Sequence, residues 1–264
     1  MFHPIVSVRP CGPDDARQPP VTVSIVSHGH RELVLNLLNQ LRQVHAEQIG
    51  HVVVTHNLPV DAIPAPAGGW PFRFTELFNP APAGFGTNHN TAFRHCDTDL
   101  FCILNPDIEL SDPAVWLRMV ECVRQPGVGC AYPVLYNGDG SRQENEREVV
   151  TPAALLRRHL LNSPQRTVDW VSAAFWLVPS AAWRSVGGFD ERYFMYCEDV
   201  DFCLRLQLAG WRLAKADTAA VHEASWGSRR LGRHLGWHLR SILRLWGKPH
   251  LRRYFAFVRQ RSHP

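Results

Sequence analysis

The sequence predicts an α/β protein with a central, mostly parallel sheet that is flanked by helices. Three observations support this class. Short segments rich in β-branched residues alternate with segments of helical periodicity between residues 21 and 124. Several apolar segments end abruptly at polar residues, as expected where strands of an open sheet lead into a site. The 264 residues, 45% hydrophobic and 20% charged, are enough for one or two domains with a sizeable core.

Each element is predicted from its spacing and composition. In the first half, the strands are expected at Val21–Ser27, Val52–Thr55, Phe72–Phe78 and Leu100–Leu104, and the helices at Glu32–Val44, Asn88–Cys96 and Pro113–Arg124. A loop rich in proline and glycine is expected over residues 61–71. The second half is expected to contain a buried strand at Val168–Val178, a turn over residues 187–190, a helix at Val200–Ala209 and a strand at Trp211–Ala216.

The charge distribution divides the chain. We expect a Pro-rich arm over residues 1–20, one domain over residues 21–228 and a helical extension over residues 229–264. The extension holds ten basic residues and no acidic residue, which gives it a charge of +10. Since the whole chain carries +4, the rest of the chain carries −6. One apolar face of the extension is formed by Leu231, Leu235, Leu239, Ile242 and Trp246. Basic amphipathic helices of this kind indicate an anchor at an anionic membrane surface, and the alternative is a docked helical pair with solvated arginines.

Cysteine usage and hydropathy restrict the class further. The chain has seven cysteines and no CxxC pair, which favours reduced thiols in a cytoplasmic protein over a disulfide framework or a structural zinc site. No apolar run approaches the roughly 18 residues of a membrane span. The first twenty residues lack the apolar core of a secretory signal.

The first candidate site is the turn Asn105-Pro106-Asp107, which follows an apolar strand. A carboxylate at the end of a buried strand can hold Mg²⁺ or Mn²⁺, because both ions prefer oxygen ligands. The alternative is ordinary turn chemistry, for which Asn, Pro and Asp are typical residues. His222 follows the last predicted strand, and its imidazole is a candidate second ligand if a metal is nearby.

The second candidate is the acidic cluster Glu198-Asp199-Val200-Asp201 at a predicted helix start. Its carboxylates are candidates for a general base, because crowding raises the pKa of neighbouring acids. They could equally serve as partners of the helix dipole. A third candidate, Gly84-Phe85-Gly86 before Asn88 and Asn90, could cradle phosphate, although a plain strand-to-helix turn fits the pattern as well.

Taken in order, these segments resemble the family 2 inverting glycosyltransferases with the GT-A fold. More narrowly, they resemble the rhamnosyltransferase-like members of bacterial surface polysaccharide synthesis, including that of O-antigen. The resemblance is carried by GGFDERYFMYCEDVDFCLRLQLAGWRL, over residues 187–213, and by LNPD, over residues 104–107. The order and spacing of the matching segments cover residues 21–230.

The resemblance implies a role for each candidate. Asp199 matches the catalytic base and Glu198 supports it, while Asp201 orients the helix. Asp107 would bind Mg²⁺ or Mn²⁺ against the donor diphosphate, with His222 as a further ligand. The nucleotide-sugar pocket would comprise Ser27, His56, Asn57, Gly86, Asn90, Asn105 and Asp107.

The resemblance also implies substrates and partners. The donor would be a dTDP- or UDP-linked sugar, with rhamnose as a candidate, and the acceptor a glycan or a polyprenyl-diphosphate-linked glycan. The enzyme would be peripheral on the cytoplasmic face of the plasma membrane, and nucleic acid is not an expected partner.

Two residues depart from the usual pattern of the family. His56 stands where the family usually has an acid, and Asn105 replaces the first acid of the DxD-type motif. Three alternatives stay open on sequence grounds: a sugar nucleotidyltransferase, an inactive donor-binding homologue, and a nucleic-acid-binding protein that uses the basic tail.

Overall fold

The computed structural model describes residues 21–149, 168–223 and 233–261. The predicted Pro-rich arm, the predicted boundary between residues 228 and 229, and Leu231 of the predicted apolar face lie outside these ranges. The strands and helices given below are those of the described ranges.

The main sheet has eight strands. They are β1 (Val21–Ser27), β2 (Ile49–His56), β3 (Arg73–Phe78), β4 (Leu100–Leu104), β5 (Ile108–Glu109), β6 (Val128–Tyr136), β9 (Phe175–Pro179) and β10 (Arg212–His222), in the order β3-β2-β1-β4-β9-β6-β10-β5. Six strands run in one direction, while β9 and β5 run in the other. The predicted mostly parallel sheet is therefore confirmed, and six strands place their carboxyl ends at one edge. A separate pair is formed by β7 (Glu146–Arg147) and β8 (Trp170–Val171).

Helices cover the sheet. They are α1 (Arg31–Val44), α2 (Phe85–Phe93), α3 (Val115–Val123), α4 (Ser180–Val186), α5 (Glu198–Leu208), α6 (Arg233–Trp246) and α7 (Pro249–Arg261). In α1 the buried residues are Val34, Leu37, Leu38 and Leu41. This spacing of 3, 1 and 3 residues forms one apolar stripe, which packs on the sheet while the polar residues face solvent.

The structure corrects the prediction of one strand over Val168–Val178. The chain forms the two-residue strand β8, turns through residues 172–174 and only then enters the main sheet as β9. An apolar run does not reveal such a turn, because both pieces are buried and neither alternates. The sequence reasoning also missed β6, whose interior contains Gly129 and Pro133. It ended β10 at Ala216, six residues too early.

The C-terminal helices were predicted correctly, but the apolar face of α6 was not. Leu245 is buried, and Ile242 and Trp246 pack against the body of the protein together with α5 and α7. The leucines at positions 235, 239 and 243 instead form a stripe that is 55–66% exposed. The predicted face therefore divides in two, since Ile242 and Trp246 pack on the domain while Leu235 and Leu239 stay exposed.

The packing of α7 makes the extension part of the domain body. Leu251 and Tyr254 are 5% and 2% exposed, in one cluster with Val200 and Leu204 of α5. The hydroxyl of Tyr254 donates a hydrogen bond to Asp169 at 3.0 Å. None of the helices in the described ranges combines the length and apolar character that crossing a bilayer requires.

Candidate active site

The carboxyl ends of β1 and β2 bring three predicted residues together. Ser27 pairs in register with His56, and the backbone amide of Asn57 donates to the carbonyl of Ser27 at 2.8 Å. All three residues are buried, at 2–6% exposure. They lie next to one another because parallel neighbouring strands end at the same edge.

The side chain of Asn57 holds the loop that precedes α2. Its Oδ1 accepts hydrogen bonds from the amide of Ala83 (2.7 Å) and from the side chain of Asn79 (2.9 Å). Its Nδ2 donates to the carbonyl of Ala83 at 3.0 Å. Asn57 therefore shapes this edge of the cleft through its amide group.

His56 is paired with an acid that the sequence reasoning missed. Its Nε2 lies 2.8 Å from Oε1 of Glu76, and its ring stacks on Phe78 with centroids 4.8 Å apart. Glu76 also accepts a hydrogen bond from the amide of Ile63. His56 replaces the acid that is usual at this position, but the carboxylate of Glu76 lies beside it. Glu76 belongs to the neighbouring strand β3, so only the register of the strands reveals this pair.

Asp107 and His222 are separated by 115 positions in the chain and lie side by side in the structure. The short strand β5 pairs antiparallel with the end of β10, so that His222 is opposite Ile108. The amide of Glu223 donates to the carbonyl of Asp107 at 2.9 Å. As a result, Nε2 of His222 lies 3.3 Å from Oδ1 of Asp107. The pairing of β5 with β10 is what assembles these two predicted ligands.

Gln143 orients the imidazole of His222. The side-chain amide of Gln143 donates to Oδ1 of Asn137 and to the carbonyl of His222, which directs its Oε1 toward Nδ1 of His222 at 2.9 Å. In this arrangement Nδ1 donates to Oε1 of Gln143, so Nε2 is the ring nitrogen that faces Asp107.

The pair fits a divalent cation. Oδ1 of Asp107 is buried and has no hydrogen-bond partner among the described residues. Two acceptors that face each other at 3.3 Å are close to the roughly 3 Å between adjacent ligands of an octahedral ion with bonds of about 2.1 Å. No group of three or more His, Cys, Asp or Glu side chains suited to a metal is found in the described ranges. A cation here would need further oxygen ligands from substrate or water, as Mg²⁺ sites commonly do.

The acidic cluster lies at the start of α5, after an unusual backbone turn. Tyr196 and Cys197 have φ values of 71° and 64°, in the left-handed region that residues with a Cβ rarely adopt. Glu198 and Asp199 follow in the first turn of the helix. The turn is covered by α6, where Ser241 donates to the carbonyl of Met195 at 2.9 Å.

The surroundings of Glu198 and Asp199 shift the pKa of each acid in a different way. Burial, together with the charge of Asp199, raises the pKa of Glu198 well above its usual range, and its Oε2 has no hydrogen-bond partner within the described part of the chain. Burial also raises the pKa of Asp199, to about 6, while the backbone amides of Val200 and Ala173 and the charge of Arg147 oppose the increase. At neutral pH Asp199 is therefore mostly ionised, while the raised pKa of Glu198 favours its protonated form.

Asp201 has a different role from its neighbours. Its Oδ2 accepts a hydrogen bond from Nε of Arg205 at 2.7 Å, and Oδ1 lies 2.9 Å from Nε2 of His250. Arg205 also donates to the carbonyls of Val186 and Gly188. Asp201 thus connects α5 to the preceding turn and to α7, which supports the expected orienting role.

One short segment joins the acidic cluster to the Asp107 turn. The amide of Ala173 interacts with the carboxylate of Asp199, and the carbonyl of Ala174 accepts a hydrogen bond from the amide of Asn105 at 2.8 Å. The two carboxylate sites are therefore linked by two adjacent residues of one short backbone segment.

Gly86 and Asn90 are explained by packing on the turn after α4. A Cβ on Gly86 would stand 2.7 Å from the Cβ of Phe189. Asn90 donates to the carbonyl of Phe189 and accepts from its amide, both at 2.9 Å. Gly188, with φ of 71°, fits under Asn90 because it lacks a side chain. These residues fix the segment that leads to α5.

Comparison with known proteins decides the family. Residues 112–262 match the family described as "Glycosyl transferase family group 2". The chain belongs to this family. It is therefore a glycosyltransferase, and the resemblance drawn from the motifs is confirmed.

Two of the curated relatives that this chain resembles are rhamnosyltransferases. Rhamnosyltransferase WbbL of Escherichia coli (strain K12) is 29% identical over 85% of this chain and 91% of its own length. N-acetylglucosaminyl-diphospho-decaprenol L-rhamnosyltransferase of Mycobacterium tuberculosis is 32% identical over 54% of this chain. The matched region spans 53% of that longer protein.

Solved structures support the fold. The mannosyltransferase PcManGT of Pyrobaculum calidifontis, in complex with GDP-Man and Mn²⁺, superposes with a TM-score of 0.61 and 19% identity over 88% of this glycosyltransferase and 66% of its own chain. TarS 1-349 of S. aureus in complex with UDP superposes with a TM-score of 0.56 and 16% identity. The match covers 76% of this chain and 59% of the TarS chain. The predicted GT-A fold is confirmed.

The raised pKa of Asp199 predicts a pH-dependent effect on stability. Because its folded pKa of about 6 exceeds the usual 3.8, ionisation favours the unfolded state as the pH rises through this interval. Asp199→Asn removes the charge and should raise the unfolding free energy by up to about 3 kcal/mol at neutral pH, with a smaller gain near pH 4.5. Thermal unfolding at both pH values measures the difference.

The matched control for this prediction is Asp217→Asn, because Asp217 is fully exposed. This variant should have an unfolding free energy within about 0.5 kcal/mol of the wild type at either pH. An Asp199→Asn gain that is equal at the two pH values would contradict the raised pKa.

Proposed function

We propose that this glycosyltransferase moves a sugar from a nucleoside-diphosphate donor to a hydroxyl of a lipid-linked glycan, with inversion and with Asp199 as general base. The observation that carries the proposal is the contact of Asp199 with Ala173 while the adjacent Ala174 binds the Asn105–Asp107 turn. A base and a site for the donor diphosphate therefore face one cleft.

The state of the acid pair suits this role. In a single displacement, Asp199 takes the proton of the acceptor hydroxyl, and that oxygen attacks the anomeric carbon from the face opposite the leaving group. The bond between the anomeric carbon and the diphosphate oxygen breaks, and the nucleoside diphosphate leaves. A pKa of about 6 keeps Asp199 ionised at neutral pH yet basic enough to accept a proton. The raised pKa of Glu198 favours its neutral form, which adds no second negative charge beside the base.

Asp107 and His222 would hold a divalent cation against the leaving diphosphate. The bound ion would neutralise charge that develops on the diphosphate during transfer. Gln143 would keep Nε2 of His222 free to ligate, since it accepts the proton on Nδ1. PcManGT, crystallised with Mn²⁺, is consistent with a cation in this fold.

Ser27, His56, Asn57 and Asn105 would line the nucleotide side of the cleft. The pair of His56 and Glu76 offers a donor and acceptor beside a stacked aromatic ring, which suits a pyrimidine base in dTDP or UDP. Gly86 and Asn90 would contribute by shaping the loops around the donor rather than by direct contact. The names of the relatives favour rhamnose as the sugar and a polyprenyl-diphosphate-linked acceptor for surface polysaccharide or O-antigen synthesis.

The exposed face of α6 would bind the anionic cytoplasmic surface of the plasma membrane. Leu235, Leu239 and Leu243 project from the domain, and Arg240 and Arg244 lie on the same helix. Leucines that enter the headgroup region and arginines that meet anionic lipid are the two parts of an interfacial helix. A lipid-linked acceptor would be reached from this surface.

The decisive test of the proposal is the Asp199→Asn variant. Loss of the base should lower the transfer rate by about 10²–10⁴-fold, while donor binding stays within about threefold. Donor binding is measured by thermal shift with UDP-, dTDP- and GDP-sugars, each with Mn²⁺ or EDTA. Transfer is measured with the donor that stabilises the protein.

Asp217→Asn serves as the matched control in this assay, since Asp217 is exposed and outside the cleft. Its transfer rate should equal that of the wild type. Full transfer by Asp199→Asn would eliminate the base assignment.

The cation site predicts a loss of metal binding in two variants. Asp107→Asn and His222→Gln should each weaken Mn²⁺ binding in the presence of the donor nucleotide by about tenfold or more. Free Mn²⁺ measured by electron paramagnetic resonance reports this without an activity assay. Glu109→Gln, at the exposed position of β5 next to the site, is the control and should bind Mn²⁺ normally. Equal Mn²⁺ binding by all four proteins would contradict the site.

The membrane surface predicts a specific effect of the leucine stripe. Changing Leu235, Leu239 and Leu243 to Gln should lower partitioning onto phosphatidylglycerol vesicles by about tenfold or more, because each leucine loses apolar burial. The control changes three other exposed residues, Val44, Leu117 and Val168, to Gln. Vesicle co-sedimentation measures both triple variants. Equal partitioning of the two would argue against α6 as the contact.

A further inference from the structure

A shallow basic cavity, open to solvent, lies between the end of α6 and the segment that leads to the acidic cluster. It measures about 580 Å³, and its described lining comprises Arg192, Arg240, Leu243, Arg244, Gly247 and Lys248. Four of these six residues are cations and none is acidic. The cavity is outside the donor cleft described above, and the proposed mechanism leaves it without a role.

Asp190 balances only part of this charge. It forms ion pairs with Arg192, at 2.7 Å, and with Lys248. Although burial acts in the opposite direction, these hydrogen bonds hold the pKa of Asp190 well below its usual range. One carboxylate faces four cations, so the cavity and this neighbour together carry a charge of +3. A dianionic ligand would meet a strong and localised attraction.

The remaining two cations are placed to receive an anion. The guanidinium of Arg244 lies over the ring of Tyr193 at 5.8 Å from its centroid, which fixes it at the wall of the cavity. Arg240 is one turn earlier on the same face of α6 and is exposed. Residues four apart on a helix are neighbours, so both guanidinium groups can contact one diphosphate.

The cavity opens onto the apolar stripe of α6. Leu243 belongs both to its lining and to the row of exposed leucines that continues with Leu239 and Leu235. A pocket for a dianion therefore continues into a track for a hydrocarbon chain. This combination distinguishes a diphosphate attached to a lipid chain from a soluble anion.

The cavity also lies beside the turn that precedes the base, because Arg244 of its lining packs over the ring of Tyr193. Tyr193 is followed within six residues by Asp199, and the intervening turn is bound by α6 through Ser241 and through the contact of Tyr196 with His234 at 2.9 Å. A ligand held by Arg240 and Arg244 would thus be next to the segment that positions the catalytic carboxylate.

We propose that this cavity binds the diphosphate group of the lipid-linked acceptor, and that the hydrocarbon chain lies along Leu243, Leu239 and Leu235. The proposal rests on the proposed transfer to a lipid-linked glycan and names the residues that would hold the acceptor. Arg240 and Arg244 neutralise the diphosphate, while Arg192 and Lys248, held by Asp190, complete the positive wall.

The test uses farnesyl diphosphate and inorganic pyrophosphate as probes, on the full chain, with EDTA present. Binding is followed by calorimetry. Arg240→Gln/Arg244→Gln should weaken farnesyl diphosphate binding by about tenfold or more, because two charge-assisted contacts are lost. The matched control, Arg252→Gln/Arg253→Gln, removes the same charge from exposed positions of α7 and should change binding by less than about twofold.

Two further comparisons separate this site from others. Pyrophosphate should bind the wild type about tenfold more weakly than farnesyl diphosphate, because it lacks the chain that contacts the leucines. Asp107→Asn should bind farnesyl diphosphate normally, since the probe does not occupy the donor site. Arg240→Gln alone should weaken binding by at least about threefold, and it avoids any disturbance of the contact between Arg244 and Tyr193.

The proposal is overturned if both arginine pairs weaken binding equally, if neither does, or if pyrophosphate binds as tightly as farnesyl diphosphate. Its failure is distinct from failure of the proposed function. The transferase proposal stays intact if donor sugars stabilise the protein but substitution of Arg240 and Arg244 does not change farnesyl diphosphate binding. If no donor binds, the comparison of the two arginine pairs still decides whether the cavity takes a lipid diphosphate.

Discussion

The insertion of β9 between β4 and β6 is the interaction on which the rest of the structure depends. β9 pairs with all five residues of β4, so it joins the half of the sheet formed by β1 to β4 to the strands β6 and β10. The residues just before it, Ala173 and Ala174, contact Asp199 and Asn105. Because these backbone bonds are buried, breaking them without replacement is costly, and the two carboxylate sites are held at a fixed separation.

A second constraint is the turn before α5. Tyr196 and Cys197 hold positive φ values, which cost roughly 1–2 kcal/mol for each residue with a Cβ. Contacts from α6 cover this turn, and Asp201 links α5 to α7 through His250. The C-terminal helices therefore support the active-site geometry directly. The same helices carry the leucine stripe and the basic cavity, so the proposed surface attachment and the proposed active site share one structural element.

Much of the candidate site was predictable because it lies at the ends of strands. Ser27, His56 and Asp107 follow apolar strands, and parallel strands bring such residues to one edge. Three features were not predictable. The pairing of β5 with β10 that joins Asp107 to His222 depends on a two-residue strand. Glu76 lies beside His56 only because of the register of β3. Gly86 and Asn90 pack on Phe189, which is about a hundred positions away in the chain.

The sequence by itself determined the α/β class, the family motifs, the acidic cluster and the two basic C-terminal helices, because these are local patterns of period, charge and order. The tertiary structure alone decided which face of α6 is buried, how Gln143 orients His222, and which of the two neighbouring acids stays ionised. Burial and hydrogen bonding set these properties, and both depend on residues distant in the chain. For that reason the pKa values of Glu198 and Asp199, which are adjacent and chemically alike, respond to different surroundings: the charge of Asp199 adds to the increase at Glu198, whereas backbone amides oppose it at Asp199.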